Sequence, residues 1–172
     1  SLGKITLIEP SEIAIKRASL HVRKFNENCQ IITLNKDLDS LNDIDFDNKQ
    51  VITADVFQFL RDSKKTSSNW DVIILDPPKL APNRQNLPKA ERAYKDLNLQ
   101  AMLLMQPGDI LASFSCSGSV SLEHFKQILA WAATDAGKEL QFLEDLGHPI
   151  DHPVRAAFPE SYYLKGVIAR II

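Results

Sequence analysis

The chain of 172 residues lacks the features that mark several classes of protein. Its 2 cysteines are too few for a disulfide framework and favour a reducing compartment, either the cytoplasm or the interior of an organelle. No run of about 18 apolar residues occurs, so we expect no membrane partner. The formal net charge of -2 argues against a surface that binds nucleic acid over its whole extent, although a local basic patch is compatible with it. Only 6 glycines are present, and no Gly-x-Gly-x-x-Gly motif occurs.

Strand-like and helix-like segments alternate along the chain. Apolar runs of strand length lie at 5–8, 51–54, 72–75, 110–114, 140–146 and 162–171. Apolar residues at helical spacing predict helices over 14–25, 56–65, 90–104 and 122–136. Ser11 and Gly137 are suited to cap the first and the last of these helices. The alternation predicts an α/β fold, with a mostly parallel sheet and helices on both faces. The continuous apolar run 72–75 predicts a central parallel strand that is covered on both faces.

Three successive strands of the predicted sheet end on an acidic residue, namely Glu9, Asp55 and Asp76. In open α/β sheets, ligands bind beyond the carboxyl ends of the strands. These three carboxylates could bind the ribose hydroxyls, the amino group of an adenine and a cationic amine. S-adenosylmethionine contains all three groups, and the pattern therefore predicts it as the cofactor. Taken singly, Glu9 and Asp55 could instead cap the helices that follow them.

The segment Asp76-Pro77-Pro78-Lys79 ends the apolar strand 72–75 abruptly. A carboxylate at the end of such a strand is costly to bury unless something pairs with it, which favours a functional role for Asp76. Proline fixes φ, removes a hydrogen-bond donor and pushes the residue before it to extended geometry. The segment is therefore either a stiff corner on whose carbonyl groups a flat base could dock, or a simple rigid turn.

Five motifs follow one another between residues 76 and 165. They are Asp-Pro-Pro-Lys at 76–79, Arg-Ala-Tyr-Lys-Asp-Leu-Asn at 92–98, Phe-Ser-Cys-Ser at 114–117, Asp-His-Pro-Val at 151–154 and Tyr-Leu-Lys at 163–165. In this order they resemble the large-subunit ribosomal RNA cytosine-5 methyltransferases of bacterial type, the ribosomal RNA large subunit methyltransferase I family. Asp-Pro-Pro recurs across many methyltransferases, but the ordered combination is specific. The resemblance extends from about residue 4 to the C-terminus.

This resemblance implies a Rossmann-like class I methyltransferase fold that uses S-adenosyl-L-methionine as its cofactor. It implies that Glu9, Asp55 and Asp76 contact the cofactor and that Cys116 is the nucleophile. We expect Pro77, in the corner after Asp76, to bind the cofactor as well. The implied partner is ribosomal RNA, and the implied substrate is a cytosine in RNA of the 23S type. Asp76 could also contact the exocyclic amine of that cytosine.

The chemistry explains why such a reaction needs a cysteine. Carbon 5 of cytosine is a poor nucleophile, and addition of a thiolate to carbon 6 makes the ring enamine-like. Cys116 follows the strand 110–114 and has small neighbours, so that a base could approach it. The alternative is a buried structural cysteine, which is how we interpret Cys29. Lys79 could bind the phosphate of the cytosine or polarise its ring.

Further candidates for RNA contact lie in the later motifs. Arg92, Tyr94 and Lys95 offer two charges and one ring, which suit phosphate contact and base stacking. They could instead form a solvated helix start. His152 could line the site, or it could be a structural loop histidine. The target base must leave its stack in order to meet Cys116.

The resemblance has a marked departure at the N-terminus. Upstream of the stretch that matches residues 5–9, family members have a first strand, a glycine-rich loop and a small RNA-binding domain of the PUA type. We therefore expect residues 1–172 to be the C-terminal part of a methyltransferase domain that lacks its first strand and glycine-rich loop, with the PUA-type region absent. Without that strand the sheet would have a gap, which a second chain could fill in a homodimer. We expect this fragment to bind S-adenosylmethionine weakly or not at all, and to be inactive.

Two functions outside this reading remain open at the level of the sequence. One is a methyltransferase that acts on another base or on an exocyclic amine, although Lys79 and Cys116 speak against it. The other is a truncated module without catalytic activity.

Overall fold

A computed structural model of the chain describes residues 6–8, 11, 13–14, 17, 30–33, 50–53, 55–66, 69–81, 84–150 and 152–172. The chain divides into two units, residues 1–68 and residues 69–172.

The first unit contains a parallel sheet with the strand order β1-β3-β2. The strands are β1 (Thr6–Ile8), β2 (Gln30–Thr33) and β3 (Gln50–Thr53). Helix α1 (Val56–Ser63) continues into a 3-10 turn at Lys64–Thr66. Ser11 caps a helical stretch as predicted, because its hydroxyl accepts a hydrogen bond from the backbone N–H of Ala14 at 3.4 Å. The strands β1 and β3 and the helix α1 agree with the predicted segments 5–8, 51–54 and 56–65, whereas β2 is not among the predicted strands.

The second unit contains a four-stranded sheet with the strand order β4-β5-β7-β6. The strands are β4 (Val72–Leu75), β5 (Ile110–Ser115), β6 (Leu140–Leu146) and β7 (Lys165–Ile171). β4 and β5 are parallel, whereas β7 runs antiparallel to both β5 and β6. The carboxyl ends of β4 and β5 therefore lie at the same edge of this sheet.

The expectation that 72–75 forms a central strand covered on both faces is wrong in the part of the chain that is described. β4 has a single hydrogen-bonded neighbour, β5, and lies at the edge of its sheet. Ile73 and Leu75 are buried, whereas Val72 is 55% exposed and Ile74 is 68% exposed. The four apolar residues thus alternate between a covered and an uncovered face, which composition alone does not reveal.

Local sequence features explain where the two helices of the second unit begin and where the later one ends. Helix α2 (Leu87–Met102) follows a 3-10 turn at Arg84–Asn86 and carries Pro88 in its first turn, where a missing N–H costs nothing. Helix α3 (Leu122–Ala136) is capped by Ser121, which accepts from the N–H of His124 at 3.1 Å. It ends at Gly137, whose φ of 67° is left-handed, so the predicted glycine cap is confirmed.

The core of the second unit lies between these two helices and the sheet. The ring of Tyr94 on α2 meets the ring of Phe125 on α3 edge to face, with their centroids 5.4 Å apart. Both rings are fully buried. Buried residues packed together here are Ala81, Ala90, Tyr94, Val120, Phe125, Ile128, Leu129 and Val167. This core covers one face of the sheet.

A close approach fixes how β5 pairs with β7. Gly166 lies opposite Phe114, and a Cβ atom added to Gly166 would come within 2.5 Å of the Phe114 ring. No residue with a side chain fits this position unless the ring moves. The same register sets Lys165 opposite Ser115.

Candidate active site

The corner that follows β4 meets the segment that follows β5. Residues 76–79 have no regular secondary structure, and in this corner Pro77 is buried while Asp76 and Lys79 are exposed. The thiol of Cys116 donates a hydrogen bond to the carbonyl of Pro77 at 3.9 Å. The structure therefore brings four of the predicted site residues together at the carboxyl ends of two parallel strands.

The electrostatic surroundings of Cys116 have opposing effects. Burial raises the pKa of the thiol above its ordinary value of 9.0, and the negative charge of Asp76 acts in the same direction. A backbone hydrogen bond and the positive charges of Lys165 and Lys79 lower this pKa in part. The balance keeps the thiol protonated over a wider pH range than an exposed cysteine.

Three hydrogen-bonded hydroxyl groups in the protein interior hold the segment around Cys116 in place. Ser115 donates to the hydroxyl oxygen of Tyr94 at 2.9 Å, and the hydroxyls of Tyr94 and Ser117 are hydrogen-bonded at 3.0 Å. Ser117 also accepts from the N–H of Ala81 at 3.1 Å. The two serines thus point into the protein on either side of the half-buried Cys116.

The prediction that Tyr94 stacks on an RNA base is wrong. Tyr94 has 0% of its surface exposed, and a ring without exposed surface cannot meet a base. Its spacing from Ala90, Leu97 and Ala101 already put it on the apolar face of the predicted helix. The side chain anchors the Cys116 segment instead.

Lys165 is a neighbour of Cys116 to which sequence reasoning gave no role. Its ammonium group donates to the carbonyl of Ser117 at 2.8 Å and to the carbonyl of Tyr163 at 2.6 Å. Burial lowers the pKa of Lys165 from its ordinary value of 10.5, and the charge of Cys116 acts in the opposite direction. The only signal in the sequence was its position in the Tyr-Leu-Lys motif.

The loop before β7 is held by a histidine other than the predicted one. Nε2 of His148 accepts hydrogen bonds from the N–H groups of Tyr163 at 2.8 Å and Leu164 at 2.7 Å. Nδ1 of the same ring lies 3.2 Å from the carbonyl oxygen of His152, so Nδ1 carries the proton. The ring stacks on Tyr162 with 4.8 Å between centroids. His152 itself is exposed, and its role in the site stays a prediction.

The remaining RNA candidates lie on α2. The ammonium group of Lys95 forms an ion pair with Asp135 on α3 at 2.7 Å. Arg92 is exposed, and its Nε donates to the carbonyl of Pro88 at 3.2 Å. The guanidinium therefore remains accessible to a phosphate, and RNA contact by Arg92 and Lys95 stays a prediction.

The predicted cofactor residues stand differently in the structure. Glu9 lies outside the described residues, as does Cys29. Asp55 caps α1, since its carboxylate accepts from the N–H of Gln58 at 2.9 Å. The capping alternative is thus confirmed for Asp55, while cofactor contact stays a prediction. Asp76 presents an exposed carboxylate at the end of β4, which fits the amino group of a cofactor or of a base.

Within the described ranges, no helix combines the length and apolar character that a membrane crossing requires. In those ranges, no three His, Cys, Asp or Glu side chains form a group that could hold a metal ion.

Solved structures resemble the chain in fold. The protein SMU.776, assigned as a methyltransferase and crystallised with SAH, superposes with a TM-score of 0.67 at 18% identity, covering 96% of this chain and 38% of that one. A methyltransferase homologue from Pyrococcus horikoshii gives a TM-score of 0.59 at 14% identity, covering 98% of this chain and 52% of that one. The predicted Rossmann-like class I methyltransferase fold is confirmed.

Curated relatives are much closer in sequence, although no protein-family model matches the chain. The chain is 44% identical over 149 residues to ribosomal RNA large subunit methyltransferase I of Shewanella frigidimarina, covering 84% of this chain and 38% of the relative. It is 47% identical over 132 residues to the protein of the same name from Shewanella amazonensis, covering 77% and 33%. The chain thus spans about a third of the length of these relatives, and along that stretch it belongs to the ribosomal RNA large subunit methyltransferase I family, as its ordered motifs predicted.

Proposed function

We propose that the chain is the catalytic part of an S-adenosylmethionine-dependent enzyme that methylates carbon 5 of a cytosine in large-subunit ribosomal RNA. The observation that carries the proposal is the position of Cys116, whose thiol is hydrogen-bonded to Pro77 where the parallel strands β4 and β5 end. The names of the curated relatives support ribosomal RNA as the substrate class. In this proposal, residues 1–172 form the C-terminal part of the methyltransferase domain, and a PUA-type region of the complete protein provides most of the RNA affinity.

The proposed reaction uses Cys116 twice. Its deprotonated sulfur forms a bond to carbon 6 of the cytosine, and the electron pair of the C5–C6 double bond becomes available at carbon 5. S-adenosylmethionine, when bound, supplies the methyl group as an electrophile. Carbon 5 then loses its proton to a base, and the bond between sulfur and carbon 6 breaks, which restores the ring and the thiolate. A cysteine suits both steps because a thiolate attacks well and also leaves well.

The other residues of the corner have supporting roles in the proposal. Pro77 holds the thiol through its carbonyl and forms a rigid wall. The exposed carboxylate of Asp76 binds the amino group of the cofactor or of the cytosine, and Lys79 faces the RNA phosphate or the ring. Arg92 and His152 add contacts to RNA.

In the first unit, Glu9 and Asp55 would bind the adenosine part of the cofactor. Asp55 can do so with the carboxylate oxygen that does not cap α1, because only Oδ1 accepts from Gln58.

A pair of variants in the complete gene product tests the chemistry. Cys116→Ser is expected to abolish methylation of ribosomal RNA while cofactor binding, measured by titration calorimetry, persists. Cys29→Ser is the matched control and is expected to retain activity. Normal methylation by Cys116→Ser would rule out this cysteine as the nucleophile.

The product and the adduct can be identified separately. Mass spectrometry of digested RNA should reveal 5-methylcytidine, whereas a methyl group on an exocyclic amine would favour the other class of methyltransferase. RNA with fluorine on carbon 5 of the target cytosine should remain covalently attached to Cys116, since no proton can leave from that carbon after methyl transfer.

We also propose that β4 is the contact through which the chain forms a homodimer, because among the described strands it pairs only with β5 and it exposes Val72 and Ile74. Light scattering of the 172-residue chain should detect the dimer, and Ile74→Lys should shift it to monomer.

The same chain is expected to bind S-adenosylmethionine weakly or not at all, and tight binding in calorimetry would contradict this. The expected compartment is the site of ribosome assembly, in the cytoplasm or an organelle.

A further inference from the structure

We infer that Lys165 is a positioning residue that holds a fixed ammonium group beside Cys116 and stabilises the negative charge of its thiolate. This inference rests on the proposed function, in which Cys116 is the nucleophile. It assigns a role to a side chain that lies 49 positions further along the chain, from 116 to 165.

Lys165 contacts the residues on either side of Cys116, namely Ser115 and Ser117. Lys165 is the first residue of β7 and pairs with Ser115, the residue before Cys116. Its ammonium group donates to the carbonyl of Ser117, the residue after Cys116, at 2.8 Å. A second bond to the carbonyl of Tyr163, at 2.6 Å, fixes the group from the other side. The ammonium is thereby held next to the segment that carries the nucleophile.

The partners of Lys165 leave its charge available. An ammonium group has three N–H donors, and two of them bond to neutral carbonyl oxygens. In the described ranges no carboxylate forms an ion pair with Lys165, in contrast to Lys95 with Asp135 and Lys126 with Asp145. The positive charge is therefore not neutralised locally, and one N–H remains for the thiolate or the bound base.

Burial makes this charge more effective than that of an exposed lysine. Lys165 is half-buried, where water screens a charge less than at the surface. Lys79 is exposed, and its effect on the pKa of Cys116 is smaller than that of Lys165. The coupling is mutual, since the Cys116 charge in turn favours the charged form of Lys165.

Such a group contributes at two points of the proposed reaction. It favours the thiolate before sulfur bonds to carbon 6, and it favours the thiolate again when that bond breaks. It transfers no proton in either step, so it can act with its three protons in place.

Thiol alkylation tests the inference without RNA or cofactor. In the complete gene product with Cys29→Ser and any other cysteine replaced, iodoacetamide reports on Cys116 alone, and its rate is followed by mass spectrometry from about pH 6.5 to about pH 10. Lys165→Gln keeps donors for both carbonyls but removes the charge, and Lys165→Arg keeps the charge. Lys126→Gln, on α3, controls for the loss of a lysine elsewhere.

Lys165→Gln is expected to slow alkylation at pH 8 about three- to tenfold and to move the pH profile upward, as the loss of a nearby charge requires. Lys165→Arg and Lys126→Gln should stay near the parent rate. An unchanged profile in Lys165→Gln would overturn the inference, and so would equal slowing in the Gln and Arg variants, which would indicate packing. If the Gln variant does not fold, Lys165→Met also removes the charge, and the same slowing of alkylation and upward shift of the pH profile are expected.

The two proposals can fail separately. Persistent methylation by Cys116→Ser would refute the proposed nucleophile and with it the catalytic meaning of Lys165. A flat alkylation profile would refute the role of Lys165 and leave the nucleophile intact.

Discussion

Replacing Tyr94 with phenylalanine removes one buried hydroxyl group and keeps the ring that packs against Phe125. The lost hydroxyl is hydrogen-bonded to Ser115 at 2.9 Å and to Ser117 at 3.0 Å. A neutral buried hydrogen bond contributes about 0.5–1.5 kcal/mol to the free energy of unfolding, so two bonds correspond to about 1–3 kcal/mol. The serine hydroxyls keep contacts with the backbone N–H groups of Ser117 and Ala81, which favours the lower half of this range.

Urea unfolding followed by tryptophan fluorescence measures this loss. Tyr162→Phe is the matched control, because Tyr162 is 65% exposed and its substitution should change stability by less than about 0.5 kcal/mol. Tyr94→Phe should lower the midpoint urea concentration without changing the slope of the transition. It should also speed alkylation of Cys116, since the segment that carries the thiol loses its anchor.

A loss below about 0.5 kcal/mol for Tyr94→Phe would refute the reasoning, because it would mean that the hydroxyl network contributes nothing. A double-mutant cycle with Ser115→Ala adds a check on the pair itself. The coupling energy should be about 0.5–1.5 kcal/mol if the two hydroxyls bond directly, and zero if they do not.

Three further predictions concern a cap, a thiol and a glycine. Asp55→Ala should lower the free energy of unfolding by about 1 kcal/mol, measured by thermal unfolding, because α1 loses its cap. Asp55→Asn should keep the cap and weaken cofactor binding by the complete protein. Equal cofactor affinity in the Asn variant would mean that Asp55 serves only as a cap. Because burial raises the pKa of Cys116, the protonated thiol contributes stability below its ordinary pKa of 9.0 that is lost as the pH rises through the folded-state pKa. Cys116→Ser should flatten this alkaline loss in urea unfolding at several pH values, and an identical pH dependence would contradict the burial of the thiol. Gly166→Ala should cost about 1–3 kcal/mol, because its Cβ meets the Phe114 ring, while Gly118→Ala, whose nearest neighbour is 3.7 Å away, should be nearly neutral.

Local signals predicted the regular elements well. α3 begins and ends where the apolar spacing and Gly137 predicted, and β6 spans the predicted 140–146. α2 begins three residues before the predicted 90, because Pro88 is compatible with a first turn, and it ends at Met102. β7 begins at Lys165 rather than 162 because residues 162–164 belong to the loop that His148 holds.

The sequence predicted the candidate site only where a residue of reactive or unusual type directly follows a predicted strand. Cys116 and Pro77 follow adjacent parallel strands, so the sequence could bring them together. The role of Lys165 depends on which residue of β5 it faces, and no local pattern encodes the register of two strands. Tyr94 carried conflicting signals, since its motif suggested RNA whereas its helical spacing indicated the core, and the spacing decided the outcome.

The contact between Gly166 and Phe114 has a consequence for how this site tolerates change. A slip of β7 by one residue would put a side chain into the Phe114 ring, and it would turn Lys165 to the opposite face of the sheet. Gly166 thus restricts β7 to one register against β5. A substitution there would move the Lys165 ammonium away from Cys116, the proposed nucleophile, without replacing either residue. In the proposed reaction, activity therefore depends on the alignment of the strands as well as on the reacting groups.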